Sequence, residues 1–208
     1  MEDELIKIFN RDRHPIGVSS REEIHKQGYW HETFHCWFVS EVEGTRYIFL
    51  QKRSHLKKDY PNLLDITAAG HLLAEETIFD GVREIKEELG VDVAFEKLIP
   101  LGVVDYSVTR DLLIDNEFAH VFLYKSQFEL DNFILQEEEV SGIFKAKLTD
   151  FTKLLLGEVS SISVEGFEVN QLGKKERINK QVSRNDLVPH EHCYYEEILQ
   201  LINDYLKD

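Results

Sequence analysis

Between Gly70 and Val91 the chain reads G-H-L-L-A-E-E-T-I-F-D-G-V-R-E-I-K-E-E-L-G-V, and the periodicity of its second half admits one regular structure. At about 100° per residue, Ile78, Val82, Ile85 and Leu89 gather on one side of a helix while Glu84, Glu87 and Glu88 occupy the other. Thr77 followed by Asp80 resembles a capping box, with Asp in place of the usual Glu or Gln, and Gly90 stands where a terminating glycine belongs. Like charges at i and i+4 cost a few tenths of a kcal/mol, roughly, and Glu84 and Glu88 form such a pair. One reading of the acidic side is a solvated face, with Arg83 and Glu87 as an ordinary i,i+4 ion pair. The other is a site for hard divalent cations, since clustered carboxylate oxygens suit Mg²⁺ or Mn²⁺, which also bind substrate phosphates.

The order of these residues resembles the Nudix box, G-x5-E-x7-R-E-U-x-E-E-x-G-U with U aliphatic. Arg83, Glu84, Ile85, Glu87, Glu88, Gly90 and Val91 match its second half at every fixed position. The first half is one residue short: counting forward from Gly70 selects Glu76, while counting back from Arg83 selects Glu75 and puts Ala69 where the glycine belongs. A one-residue deletion in the loop entering the helix accounts for both counts and leaves the first glutamate open between Glu75 and Glu76. The resemblance implies an α/β fold, the Nudix-type α/β/α sandwich around a mixed β-sheet. It also implies metal-dependent hydrolysis of a diphosphate linkage in a nucleoside diphosphate derivative or other organic diphosphate. Mg²⁺ or Mn²⁺ would be held by Glu84, Glu87 and Glu88, with Arg83 orienting the glutamates. Glu87 and Glu117 would serve the reaction, Glu117 as a general base or a further ligand.

From about Glu4 to Tyr124 the chain is also similar to the branch of that superfamily related to isopentenyl-diphosphate isomerase. The shared features are a sharp N-terminal hairpin, S-R-E-E-I-H ahead of G-Y-W-H, a strand ending in Q-K-R-S, and K-K-D-Y-P-N-L-L-D-I-T-A-A-G-H. In the isomerases three histidines and two acids hold a metal, and the matching positions are His25, His31, His71, Asp115 and Glu117. For His25 and His31 the alternative is an ordinary packed, hydrogen-bonded histidine. His71, directly after Gly70, is expected to face substrate. The isomerase cysteine falls at Ala69, which has no titratable atom, so hydrolysis rather than isomerisation is expected. Cys36 is the other thiol in the matching segment, and its direction decides whether it can replace the missing one. An isomerase-like enzyme and a non-catalytic, ligand-sensing Nudix domain are the alternative functions. The sensing class usually degrades the box, whereas every glutamate of R-E-I-K-E-E is present here.

The densest basic run, Q-K-R-S-H-L-K-K from Gln51 to Lys58, lies just ahead of the box. It reads either as a solvated loop or as a phosphate-facing patch in which Arg53 forks onto oxygens and Lys57 acts as a point charge. Local charge of this kind matters because the net charge is −15. Nucleic acid and anionic membranes would be repelled at long range, leaving a small-molecule diphosphate as the expected partner, with a homodimer compatible. Two cysteines outside any C-x-x-C pattern and the lack of a long apolar run point to a reduced, cytoplasmic protein.

A length of 208 residues suits one domain, 1–208, with an N-terminal hairpin extension and a C-terminal helical extension. Strands are expected over Glu4–Phe9, Leu98–Val104 and Phe118–Tyr124, with a hairpin joining Trp37–Ser40 to Tyr47–Gln51 around Glu43-Gly44. Ser20 and Glu23 predict a short helix ending near Gly28. Thr149 predicts a cap for a helix over Phe151–Leu156 that Gly157 ends. The polar, glycine-spaced stretch from Glu158 to Arg184 reads as a mobile excursion, and Tyr194–Leu206 returns to helical periodicity.

Overall fold

Strand β3 (Trp30–Val42) is the axis of the molecule, buried without a break from Thr33 to Val39. A strand covered on both faces must have an element above and below it, and β3 has both. The structure, a computed structural model, describes residues 4–110, 113–170 and 172–207. Along one edge β3 pairs in succession with β1 (Leu5–Phe9), β6 (Ala68–His71) and β4 (Thr45–Arg53), all antiparallel. Along its other edge it pairs in parallel with β8 (Leu113–Lys125), itself half of a long hairpin with β7 (Ile99–Arg110). The strand β2 (Pro15–Ser20) extends the sheet beyond β1, β9 (Val140–Lys147) extends it beyond β4, and β5 (Leu64–Asp65) adds a short pairing to β4. The result is the expected mixed sheet.

Helices cover both faces. On one side α2 (Arg83–Leu89) buries Ile85 and Leu89 against Phe34, Cys36, Phe38 and Phe122. On the other, α3 (Leu148–Leu155) and α4 (His192–Lys207) bury Phe151, Leu154, Tyr194, Ile198 and Ile202 against Trp37, Val39, Ile48 and Leu123. Side chains alternate across a strand, so β3 divides its even residues from its odd ones between these two cores. This is the α/β/α arrangement. Among the described residues no helix is long and apolar enough to cross a membrane.

Several local expectations hold. Helix α1 (Arg21–Gln27) starts where Ser20 accepts a hydrogen bond from the Glu23 N–H and ends at Gly28 with φ 69°. The β3–β4 turn puts Glu43 and Gly44 at φ 49° and 75°, the left-handed pair that a two-residue hairpin of this twist requires.

Four expectations need correction. Strand β3 begins seven residues earlier than Trp37, because W-H-E-T-F-H carries inward-facing polar groups that hide its burial. Helix α2 begins at Arg83 after a 3₁₀ turn over Asp80–Val82, and Thr77 donates to the Asp80 carboxylate from both its N–H and its hydroxyl instead of accepting. Thr149 lies inside α3, whose N-cap is Lys147 with no side-chain cap. Finally, 158–184 is no excursion: β10 (Ile162–Val169) and β11 (Lys175–Val182) form a hairpin that continues the sheet past β9. Its Gly166 serves close packing, since a Cβ there would stand 2.0 Å from the Ile143 carbonyl oxygen.

Candidate active site

The acidic helix α2 rests against β6, and glycine permits the contact. A Cβ at Gly70 would stand 2.2 Å from the Glu84 carboxylate, and the Ala69 N–H donates to Glu88 Oε2 at 3.1 Å. Glu88 is therefore only 5% exposed. The Glu84 side chain is 13% exposed, whereas that of Glu87 is 52% exposed and opens to solvent. Arg83 ties the group together, reaching Glu84 at 2.7 Å, Glu87 at 3.0 Å and the His71 carbonyl at 3.1 Å. It also grips both oxygens of Glu76, at 2.5 and 3.0 Å, a bidentate pair whose geometry favours Arg. Glu76, held further by the Leu73 N–H, thus takes the place of the motif's first glutamate, while Glu75 is exposed.

Ionising this edge is opposed by its surroundings. Burial pushes the Glu84 carboxyl up to about 7 although Arg83 pulls it down, and Glu87 and Glu76 add to the rise. Burial and the Glu84 charge push Glu88 up as well, against the Ala69 N–H and Lys57. Desolvated carboxylates that repel one another suit a cation that returns the lost solvation. The donors on this edge are all oxygens, the type that Mg²⁺ or Mn²⁺ takes.

A second polar cluster lies beside the first and is assembled from four elements. The parallel register sets His31 opposite Glu117, and the β3–β6 register sets Thr33 opposite His71. Helix α1 contributes His25 and β8 contributes Asp115. Ligand atoms of His25, His31 and His71 lie within 4.8 Å of one another, as do those of His31, Asp115 and Glu117. Asp115 Oδ1 is 3.5 Å from His25 Nε2 and 3.6 Å from His31 Nε2, too long for hydrogen bonds. His31 Nε2, His71 Nε2 and Asp115 Oδ1 are buried with no hydrogen-bond partner. His31 Nδ1 meets the Tyr29 carbonyl at 3.1 Å, which places its proton there and bares Nε2. Burial, then the neighbouring His31, Arg21, His25 and Lys57, holds His71 well below the usual imidazole range. Bare lone pairs facing carboxylates could hold a cation, and imidazoles with carboxylates suit a transition metal better than Mg²⁺.

Glu117 sits where this basin meets the core. Thr33 Oγ1 donates to its Oε2 at 3.3 Å and His35 Nε2 lies 3.4 Å from the same oxygen. Desolvation raises its pKa, yet the contact with His35 and the nearness of His31 and His190 leave it lowered overall.

The basic run is more committed than its sequence implies. Arg53 donates to Asp65 at 2.9 Å and to the Asp59 carbonyl at 3.0 Å, and His190 meets the other Asp65 oxygen at 2.7 Å. Desolvation of Asp65 is outweighed by these cations, so its carboxyl lies well below the usual range. Lys57 pairs with Glu139, and its charge bears on Glu88 and His71. Cys36 projects to the opposite face from His31, Thr33 and His35; it is buried among Phe34, Phe38 and Ala68, where desolvation raises its thiol. Sequence reasoning did not find Thr33, His35, Asp65, Glu139, His190 or Tyr194. The one local signal was the i, i+2 spacing of His31, Thr33 and His35, which marks a polar strand face.

Comparison with known proteins follows the same lines. Residues 29–164 match the family model of the NUDIX domain. A protein described as an uncharacterised Nudix hydrolase of Clostridium acetobutylicum is 39% identical over 206 residues, covering 99% of this chain and 100% of that one. An isopentenyl-diphosphate Delta-isomerase of Aliivibrio fischeri is 26% identical over 163 residues, 77% of this chain and 90% of that one. A crystal structure of a Deinococcus radiodurans protein, 16% identical, matches in fold with a TM-score of 0.53 over 74% of this chain and 90% of that one.

Proposed function

Because the chain belongs to the Nudix family, we propose that it is a metal-dependent hydrolase cleaving a diphosphate linkage in a nucleoside diphosphate derivative or another organic diphosphate. The observation that carries this reading is the edge where α2 meets β6. Glu84 and Glu88 are packed there with their ionisation opposed, and Arg83 holds Glu76, Glu84 and Glu87 in one grip.

Glu84, Glu87 and Glu88 would hold the cation, which when bound neutralises diphosphate oxygens and lowers the pKa of an attacking water. Gly70 leaves the space that Glu84 fills. Arg83, committed to carboxylates, orients them and does not reach substrate. Glu87, the exposed member, is the one able to meet an incoming diphosphate. Lys57 adds positive charge behind Glu88, and His71 presents a bare nitrogen to the basin. Glu117, held low, is a weak base near neutral pH and a good ligand, so we assign it to metal holding or orientation ahead of proton abstraction.

The test is a panel of nucleoside diphosphate derivatives, dinucleoside polyphosphates and prenyl diphosphates with Mg²⁺ or Mn²⁺, run beside Glu88→Gln. Turnover that needs the cation and is lost in the variant is expected. Turnover indifferent to Glu88→Gln, or none on any member, would overturn the reading.

A second reading, an isopentenyl-diphosphate isomerase-like enzyme, is favoured by the basin of His25, His31, His71, Asp115 and Glu117. Two proton-transfer groups are needed for that reaction, and Ala69 supplies none while Cys36 faces the other core. Deuterium uptake from heavy water into isopentenyl diphosphate, followed alongside phosphate release, separates the two. Deuterated dimethylallyl diphosphate formed at an enzyme-like rate would promote the isomerase.

A further inference from the structure

Helix α4 lies outside the residues that match the family model, yet it delivers one polar atom to the interior beside the basin. Its buried face carries Tyr194, Tyr195, Ile198, Leu199 and Ile202. The Tyr195 hydroxyl is satisfied locally, donating to the Val188 carbonyl at 2.8 Å. The Tyr194 hydroxyl instead stands 2.7 Å from His35 Nδ1 on β3, a partner 159 positions away in the chain. The two rings meet edge to face, with centroids 5.7 Å apart. His190 also packs on Tyr194, but its nitrogens face Asp65 at 2.7 Å and Tyr106 at 3.3 Å, so it does not compete for the hydroxyl.

The chemistry of the pair has a direction. A carboxylate only accepts, and a neutral imidazole donates through one nitrogen while accepting through the other. His35 Nε2 faces two acceptors, Glu117 Oε2 at 3.4 Å and Thr33 Oγ1 at 3.3 Å, whose own hydrogen goes to Glu117; Nδ1 accepting the Tyr194 O–H at 2.7 Å keeps the imidazole hydrogen on Nε2. Burial pushes the Tyr194 phenol up, so it stays protonated and able to donate. The opposite tautomer would aim a lone pair at the carboxylate.

We propose that Tyr194 is a positioning residue: by donating to His35 Nδ1 it holds the imidazole in the tautomer whose Nε2–H, together with Thr33, fixes the orientation of Glu117 at the basin. A role in turnover rests on the hydrolase reading above; the effect on His35 does not. A phenylalanine would fill the same volume and make the same ring contacts, so only the hydroxyl distinguishes positioning from packing.

Tyr194→Phe is the direct test, read by ring ¹⁵N spectra of His35 and by steady-state kinetics of the Mg²⁺-dependent hydrolysis. In wild type the spectra should show a single Nε2–H tautomer, and in the variant a mixture. The kcat should fall about tenfold, the scale of one buried hydrogen bond, with KM within about twofold. An unchanged tautomer, or an unchanged kcat in an active enzyme, overturns the proposal. If Tyr194→Phe does not fold, His35→Gln and His35→Leu decide. Glutamine can present an N–H to Glu117 and a carbonyl to Tyr194, so it should keep several times the kcat of the leucine variant. Equal loss in both overturns the proposal. A wild type that hydrolyses no diphosphate sinks the hydrolase reading alone, because the tautomer comparison then still supports or refutes what Tyr194 does to His35.

Discussion

On α2, Glu84 and Glu88 are crowded against each other and against the backbone of β6, and the charges of Arg83 and Lys57 do not offset their burial and mutual repulsion. On β8, Glu117 is equally buried, yet it meets Thr33, His35 and the field of three histidines. Burial alone therefore does not predict which carboxylate resists ionising; the identity of its neighbours does. One edge is a site whose unliganded form is destabilised by its own charges, and the other is a buried acid that already has partners. Removing a charge should help the first region and harm the second.

The largest effect expected is on catalysis at the first. Glu88→Gln should lower kcat at least about a hundredfold, since even outer partners of metal ligands are worth about 10 to 100-fold. The metal-free variant should nonetheless melt at the same temperature as metal-free wild type or higher. Gly70→Ala should match its kinetic loss by steric means, because the new Cβ takes the position of the Glu84 carboxylate. A marked fall in the melting temperature of metal-free Glu88→Gln would show that the edge is a structural ion-pair network instead.

Next in size is the opposite response at the second region. Glu117→Gln keeps one acceptor oxygen but removes the charge that faces Thr33 and His35 and puts an amide donor in place of the other oxygen, and should cost the metal-free protein about 1 to 3 kcal/mol by urea denaturation. A neutral outcome would mean that Glu117 resembles the glutamates of α2 after all.

The comparison sharpens with pH. Glu84, raised to about 7, and Glu88, raised in the same direction, contribute relative stability that is full below about 4.5 and is lost as pH rises, for Glu84 through about 7. The advantage of metal-free Glu88→Gln over wild type should therefore widen from pH 5 to pH 8. Glu117, lowered, contributes stability that is present above its unfolded pKa and lost only in acid. The penalty of Glu117→Gln should stay level over the same interval. Parallel pH dependences for the two variants would erase the distinction.

The smallest effect belongs to Lys57. Its ion pair with Glu139 already spends part of its charge, so Lys57→Met should raise KM for a diphosphate only about threefold at low ionic strength, with kcat little changed. Arg53→Met should instead act on stability, because it takes one of two partners from buried Asp65.

The legible parts of the molecule are those whose causes are local. Helix α2 could be placed from its face of Ile85 and Leu89 and its stop at Gly90, and α1 from Ser20 and Gly28, because caps and periodicity act within a few residues. The members of the histidine basin could be named only by likeness to relatives, since nothing in their spacing shows that β3 and β8 run parallel with His31 opposite Glu117. Asp65 left no trace in sequence, and His35 only its i, i+2 spacing, for a related reason. Each is a polar residue in a strand whose burial comes from elements far along the chain. The hairpin of β10 and β11 was obscured differently, by glycines that look like spacers and in fact allow strands to touch.

The parallel pairing of β3 with β8 also bears on the order in which the molecule can assemble. Joining Thr33 to Glu117 closes a loop of 84 positions, whereas joining Arg83 to Glu76 closes one of 7. The entropy of closure scales as (3/2)RT ln n, about 4 kcal/mol for the first and about 2 for the second. During synthesis the acidic edge can form as soon as β6 and α2 have emerged. The basin cannot exist until β8 has been made and has found β3, and Tyr194 arrives later still. A chain halted midway would thus present carboxylates to passing cations before it owned any ordered cluster of histidines, and docking of the C-terminal helix would be the event that finishes the interior around Glu117.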